Sequence, residues 1–114
     1  FVDAINKQNW DKLDRLVAID FVRHSYAAGE PGIRNRDQLK QFLCRELEIF
    51  PDGFESIEDI FAEGDKVAVR QRFQGTQQGV MGSYPPSGKK LIANYIAIYR
   101  IENNQIVEAW VEWD

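Results

Sequence analysis

The chain has 114 residues, 44% of them hydrophobic and 28% charged, which suits one globular domain with one core and excludes a disordered chain. Lys and Arg number 14 against 18 Asp and Glu, a formal net charge of −4, and no basic patch is available to offset nucleic-acid phosphates. One His and one Cys permit neither an intrachain disulfide nor a zinc site of familiar spacing, and no apolar run approaches the length of a membrane span.

From the N-terminus, Phe1, Val2, Ile5, Trp10, Leu13, Leu16 and Val17 predict a helix over Phe1 to Leu16. Its spacing slips at Lys7-Gln8-Asn9, where Asn9 is placed to cap a second short helix. Phe21 to Tyr26 reads as a short strand carrying His24, and Ala27 to Asn35, with Gly29, Pro31 and Gly32, as a loop. Arg36 to Phe50 is the clearest helix, with Leu39, Phe42, Leu43, Leu47 and Phe50 in one apolar stripe. Cys44 within it is expected to be a small buried hydrophobe rather than a nucleophile, and Arg34, Arg36 and Lys40, interrupted by Asp37, a solvated helix start.

After Pro51-Asp52-Gly53 the pattern turns to strands: Phe54 to Ala62, a turn at Glu63-Gly64-Asp65, Val67 to Gly75, a Gly/Pro-rich loop, Leu91 to Ile101, and a closing strand. Helices first and antiparallel strands after predict an α+β domain with helices on one face of a sheet. In the third of these segments Val67, Val69, Gln71 and Phe73 face one side, and Ala68, Arg70, Arg72 and Gln74 the other. Arginines so placed either reach water or pair with carboxylates in a partly enclosed site. The solvated reading suits Arg72, and both readings stay open for Arg70.

The final sixteen residues form a hairpin around Asn103-Asn104, a pair that tolerates the positive φ of a tight turn. Strict alternation groups Ile106, Glu108, Trp110, Glu112 and Asp114 on one face and Val107, Ala109, Val111 and Trp113 on the other. The first face lines a pocket, or else the strand is two-faced core with a carboxylate at its end. If the first face lines the cavity, the second needs a cover, and a homodimer through this outer sheet face is expected. Gly82 to Lys90 fails as a phosphate loop, because its spacing is one residue too long and Lys90 stands where Ser or Thr would hold magnesium. No serine lies in an elbow-like setting.

Several segments, in order, resemble the SnoaL-like polyketide cyclases, in the ester-cyclase-type branch of the nuclear transport factor 2-like superfamily. They are Asp20-Phe-Val-Arg-His24, Phe50-Pro-Asp52, Ile57 to Arg70, Gly75-Thr76 with Gly79, Ser87-Gly-Lys89, Tyr99-Arg-Ile101, and Ile106 to Trp110 with Asp114. The resemblance implies a cone-shaped α+β barrel, a curved, mostly antiparallel sheet wrapped around N-terminal helices, with a hydrophobic cavity inside. It implies a single domain over 1–114, and intramolecular aldol chemistry that needs no metal or organic cofactor. Asp114 matches the family's cavity aspartate near the end of the last strand, His24 a histidine common in the branch, and Arg70 a recurrent residue on its strand. Gln77 departs from the pattern, standing where many members have histidine.

These residues suit proton transfer to and from a carbonyl compound: Asp114 as acid/base, His24 to orient it or polarise a carbonyl, Arg70 to hold an enolate oxygen. Phe21, Tyr26, Phe42, Phe73, Tyr84, Tyr95 and Trp110 are the candidate lining for an apolar small-molecule ligand. The expected function is a cofactor-independent cyclase or isomerase; the alternative is a non-catalytic module that binds an apolar ligand or a protein partner. Neither nucleic acid nor membrane is an expected partner, and a cytoplasmic location is expected. The chain starts at Phe1 without a methionine, so a preceding segment, including a signal peptide, stays open.

Overall fold

Asn9 divides the N-terminal helical region as its capping chemistry requires. The computed structural model describes residues 1–25 and 32–113, and in it α1 runs over Val2–Asn6 and α2 over Trp10–Leu16. The Asn9 side chain accepts from the Lys12 backbone N–H at 3.1 Å, satisfying a donor that the first turn leaves free. Strand β1, Val17–Ser25, follows α2 without a loop. It begins four residues before the expected Phe21, because Val17 already adopts extended dihedrals at the helix C-cap. The loop expected over Ala27 to Asn35 falls partly outside the described residues, and Ile33 in its later part bridges to Arg23.

Helix α3, Arg36–Ile49, is capped by Asn35 and buries Leu39 and Leu43. Cys44 is exposed, contrary to expectation. It lies one position beyond Leu43, outside the stripe at three- and four-residue spacing that faces the core. The basic helix start is not simply solvated either. Lys40 pairs with Asp14 at 3.0 Å, and Arg36 donates to the Asp14 carbonyl at 2.7 Å, joining α3 to α2.

Strands β2 (Phe54–Glu63), β3 (Lys66–Thr76), β4 (Lys90–Glu102) and β5 (Gln105–Trp113) complete the fold. The sheet order is β1-β5-β4-β3-β2, antiparallel except for the parallel β1–β5 pair. It curves around the helices but stays open, with β1 and β2 as its two edges, so the expected barrel is not closed. Along β3 and β4 the odd residues turn inward: Val69, Gln71, Phe73, Tyr95, Ala97 and Tyr99 are all buried. Their even neighbours form the outer face.

Strand β5 departs from strict alternation, and this inverts the faces expected for it. The register shifts between the Arg100–Glu108 and Ile101–Ile106 pairs, which is a bulge. Ile106 is thereby brought to the same face as Ala109 and Val111, and all three are buried in the core. Glu108, Trp110 and Glu112 point outward. The apolar set Ala109, Val111 and Trp113 is covered by the core of its own chain, so it is not the surface that a second subunit would cover.

The β4–β5 turn confirms its own chemistry, with Asn103 and Asn104 at φ +53° and +63°. A β-branched residue pays about 1–2 kcal/mol for that conformation. Asn104→Val is expected to lower stability by about that amount in chemical denaturation, with the denaturant slope unchanged.

Candidate functional site

The inner face of the sheet is not wholly apolar. Between the helices and the sheet lies a cavity lined by Phe21, Arg23, Phe42, Glu55, Tyr95, Tyr99 and Trp113, among others. The first residues of β2 are fixed from α1: Asn6 donates to the Glu55 carbonyl and accepts from the Glu55 N–H, both at 2.8 Å. This paired contact sets the height of Glu55 along the sheet and turns its side chain toward the core.

Glu55 heads a chain of polar side chains threaded through the apolar interior. The Tyr95 hydroxyl donates to Glu55 Oε2 at 2.6 Å. Gln71 Nε2 donates to the Tyr95 oxygen at 3.0 Å, and the Tyr99 hydroxyl donates to Gln71 Oε1 at 2.8 Å. Gln71 is 2% exposed, so its amide persists in the core only because both ends are engaged. Burial is the main reason that the Glu55 carboxyl is pushed up to about 7; the hydrogen bond from Tyr95 and the charge of Arg23 pull the other way. Burial likewise pushes the Tyr95 and Tyr99 phenols up, with the Glu55 charge adding to the effect, so both stay protonated donors at neutral pH.

The free volume of the cavity is about 40 Å³, room for a few waters rather than a substrate. Phe42 and Trp113 are half-buried side chains on its wall. The Trp113 ring lies 4.3 Å from Tyr95, and its buried Nε1 has no hydrogen-bond partner among the described residues. Beyond Phe1 and Tyr99, which both spaces share, lies a larger apolar groove of about 170 Å³, lined by Ile57, Ile60, Val69 and Ile106.

The residues expected to act together are not assembled in this cavity. His24 lies on the outer face, with Nε2 at 2.7 Å from Glu108 Oε2 and its ring stacked 5.6 Å from Trp110. Arg70 is exposed on the same face, three strands away, and pairs with Asp59 at 2.7 Å. Trp110 is therefore not a cavity residue. Asp114 and Tyr26 lie outside the described residues. Of the aromatic set, Phe21, Phe42 and Tyr95 line the cavity, Phe73 lines a smaller adjoining space beside Phe50, and Tyr84 is exposed in the β3–β4 loop. Gln77 is buried and organises that loop, donating to the Gly79 and Pro85 carbonyls and accepting from Ser87.

Glu55 escaped the sequence reading because its setting depends on partners far along the chain, Asn6 and Tyr95. The one legible signal was Gln71 among the apolar residues of β3, a buried amide that must be paid for by polar neighbours. Among the described residues, no three His, Cys, Asp or Glu side chains cluster to hold a metal ion, and no helix is long and apolar enough to cross a membrane.

Glu55 ties ionisation to stability. Its folded pKa, about 7, exceeds the ordinary 4.5, so its contribution is fully present below about 4.5 and is lost as pH rises through about 7. Thermal unfolding between pH 4.5 and 8 is expected to show wild type losing stability over this window relative to Glu55→Gln; parallel profiles would contradict it.

The family model for SnoaL-like polyketide cyclases matches residues 1–114. Among solved structures, IdmH from Streptomyces antibioticus, a proposed polyketide cyclase, is 28% identical, with a TM-score of 0.83 over 99% of this chain and 86% of that one. TsrD from Streptomyces laurentii is 25% identical, with a TM-score of 0.85 over 100% of this chain and 82% of that one. No curated protein matches the sequence. With a family match over its whole length and the fold of these neighbours, the chain belongs to the SnoaL-like polyketide cyclase family.

Proposed function

We propose that this protein is a cofactor-independent acid/base catalyst acting on an apolar carbonyl compound, with Glu55 as the group that moves the proton. One observation carries the reading: a carboxyl on the wall of a largely apolar cavity, with a phenol donating to it at 2.6 Å, where burial pushes it up to about 7. At neutral pH such a group is populated both as base and as acid, which is the condition for efficient proton transfer in both directions.

The chemistry is an intramolecular aldol closure or a related enolisation. Glu55 takes a proton from a carbon flanked by carbonyls, and the resulting carbanion forms a bond to a second carbonyl carbon of the same molecule. That carbonyl oxygen gains the electron pair and then receives the proton from Glu55, so the carboxylate is regenerated. Tyr95 holds the carboxylate in place, and Arg23, on the cavity wall, favours negative charge beside it. IdmH, the proposed polyketide cyclase among the neighbours, supports the reaction class. Asp114, next to Trp113 in sequence, is the second carboxylate candidate for the same step.

A non-catalytic reading is favoured by the adjoining groove, whose lining is almost wholly apolar. It would hold an apolar ligand without chemistry.

Deuterium exchange at the acidic C–H of a cyclic 1,3-dicarbonyl, followed by NMR, separates the two. Wild type is expected to accelerate exchange, and Glu55→Gln to lose about 10²–10⁴-fold of that rate while keeping its circular dichroism. Loss in Asp114→Asn with Glu55→Gln unaffected would move the role to Asp114. Ligand binding without exchange would leave the binding module.

A further inference from the structure

Among the described residues, the buried side-chain nitrogen and oxygen atoms without a hydrogen bond are Ser25 Oγ, Arg36 Nε, Arg72 Nε and Trp113 Nε1. A buried polar atom left in this way loses its bond to water and gains none in return, so each calls for an explanation. Arg36 Nε has one, the Asp14 carboxylate at 3.5 Å. Arg72 belongs to the outer face of the sheet. Ser25 and Trp113 lie on the inner face.

The strand registers bring these two side chains to one end of that face. Ser25 pairs with Val111 in the parallel β1–β5 ladder. Partners across a ladder share a face, so Ser25 lies on the side that buries Val111. Arg23, two residues earlier, reaches the cavity wall by the same alternation. Trp113 is the next inward residue of β5 after Val111, diagonal to Ser25 and about 7–8 Å along, a gap that an indole bridges. Across β4 and β5, Trp113 pairs with Tyr95, ring to ring at 4.3 Å, and Tyr95 donates to Glu55. Glu55 and Trp113 thus stand on two sides of Tyr95, on the wall of one cavity.

The phenols of that wall have no hydrogen left to offer. Tyr95 commits its one hydrogen to Glu55, and Tyr99 commits its own to Gln71. An indole N–H is a donor only, and a serine hydroxyl turns its hydrogen toward whatever acceptor is in reach. Two donors without an acceptor suit an oxygen atom on which negative charge gathers.

We infer that Ser25 and Trp113 together hold the carbonyl oxygen of the ligand. The ligand is the apolar carbonyl compound of the acid/base reading, on which this assignment rests. When Glu55 takes the proton, the electron pair of the broken C–H bond moves toward the carbonyl and charge collects on its oxygen. Donors already aimed at that oxygen stabilise the charge as it forms. The free volume of about 40 Å³ suits the carbonyl end of a molecule rather than its body.

Proton–nitrogen NMR of the Trp113 indole, assigned through its contact with the Tyr95 ring, reads the site directly. The probe is 1,3-cyclohexanedione, which is expected to move the Nε1–H signal downfield; cyclohexane, the same ring without oxygens, is expected to leave it in place. Ser25→Ala and Trp113→Phe are each expected to weaken dione binding roughly tenfold, and circular dichroism identifies a variant that fails to fold. The same downfield shift is expected in Glu55→Gln, where proton transfer is lost, so the oxygen site and the acid/base reading fail separately. A dione that moves the signal in a wild type without exchange activity would leave this site standing and remove the catalytic reading. A signal that the dione leaves unmoved would overturn the proposal, and so would a dione affinity indifferent to either substitution.

Discussion

A carboxylic acid shares the inner face of the sheet with the hydrophobic core, and the way in which it is held organises the rest of the domain. An unpaired charge there would cost far more than a hydrogen bond returns. The fold meets that cost by letting the carboxyl keep its proton up to about pH 7 and by giving it one strong donor, Tyr95. Gln71 and Tyr99 extend the network, so each of its members is answered by another. Helix α1 belongs to this arrangement as well as to the core, because the Asn6 side chain clamps the backbone of Glu55 from both sides.

The same face supplies the setting that the proposed acid/base chemistry would use. Removing water raises the pKa of a carboxyl and strengthens each remaining dipole. Cavity and adjoining groove meet at Phe1 and Tyr99, whose rings pack edge to face at 5.5 Å.

Much of the fold was legible in the residues. Asn9 announced a helix start, Asn103-Asn104 announced a hairpin, and the alternation of β3 correctly separated Val69, Gln71 and Phe73 from Arg70 and Arg72. The bulge in β5 was not legible, because nothing in Gln105 to Trp113 marks where one residue drops out of the alternation. That single slip carried Trp110 to the wrong face and took the apolar set around Val111 for a surface. The candidate site was less legible still. Glu55 sits in a stretch of mixed polar and apolar residues, and only Asn6, 49 residues before it, and Tyr95, 40 after it, make it a half-buried, hydrogen-bonded acid. His24 finds its partner in Glu108, on the outer face, through the parallel β1–β5 pairing, a contact that no local spacing encodes.

The central claim is that Glu55 is a poised acid held by Tyr95, and carbon-detected NMR titration of the Glu55 carboxyl, in wild type and in Tyr95→Phe, tests it directly. The account predicts a pKa of about 7 in wild type and a further rise in Tyr95→Phe, because the lost hydrogen bond favoured the ionised form. A titration near the ordinary 4.5, unmoved by Tyr95→Phe, would contradict it and leave Glu55 as a solvated strand residue.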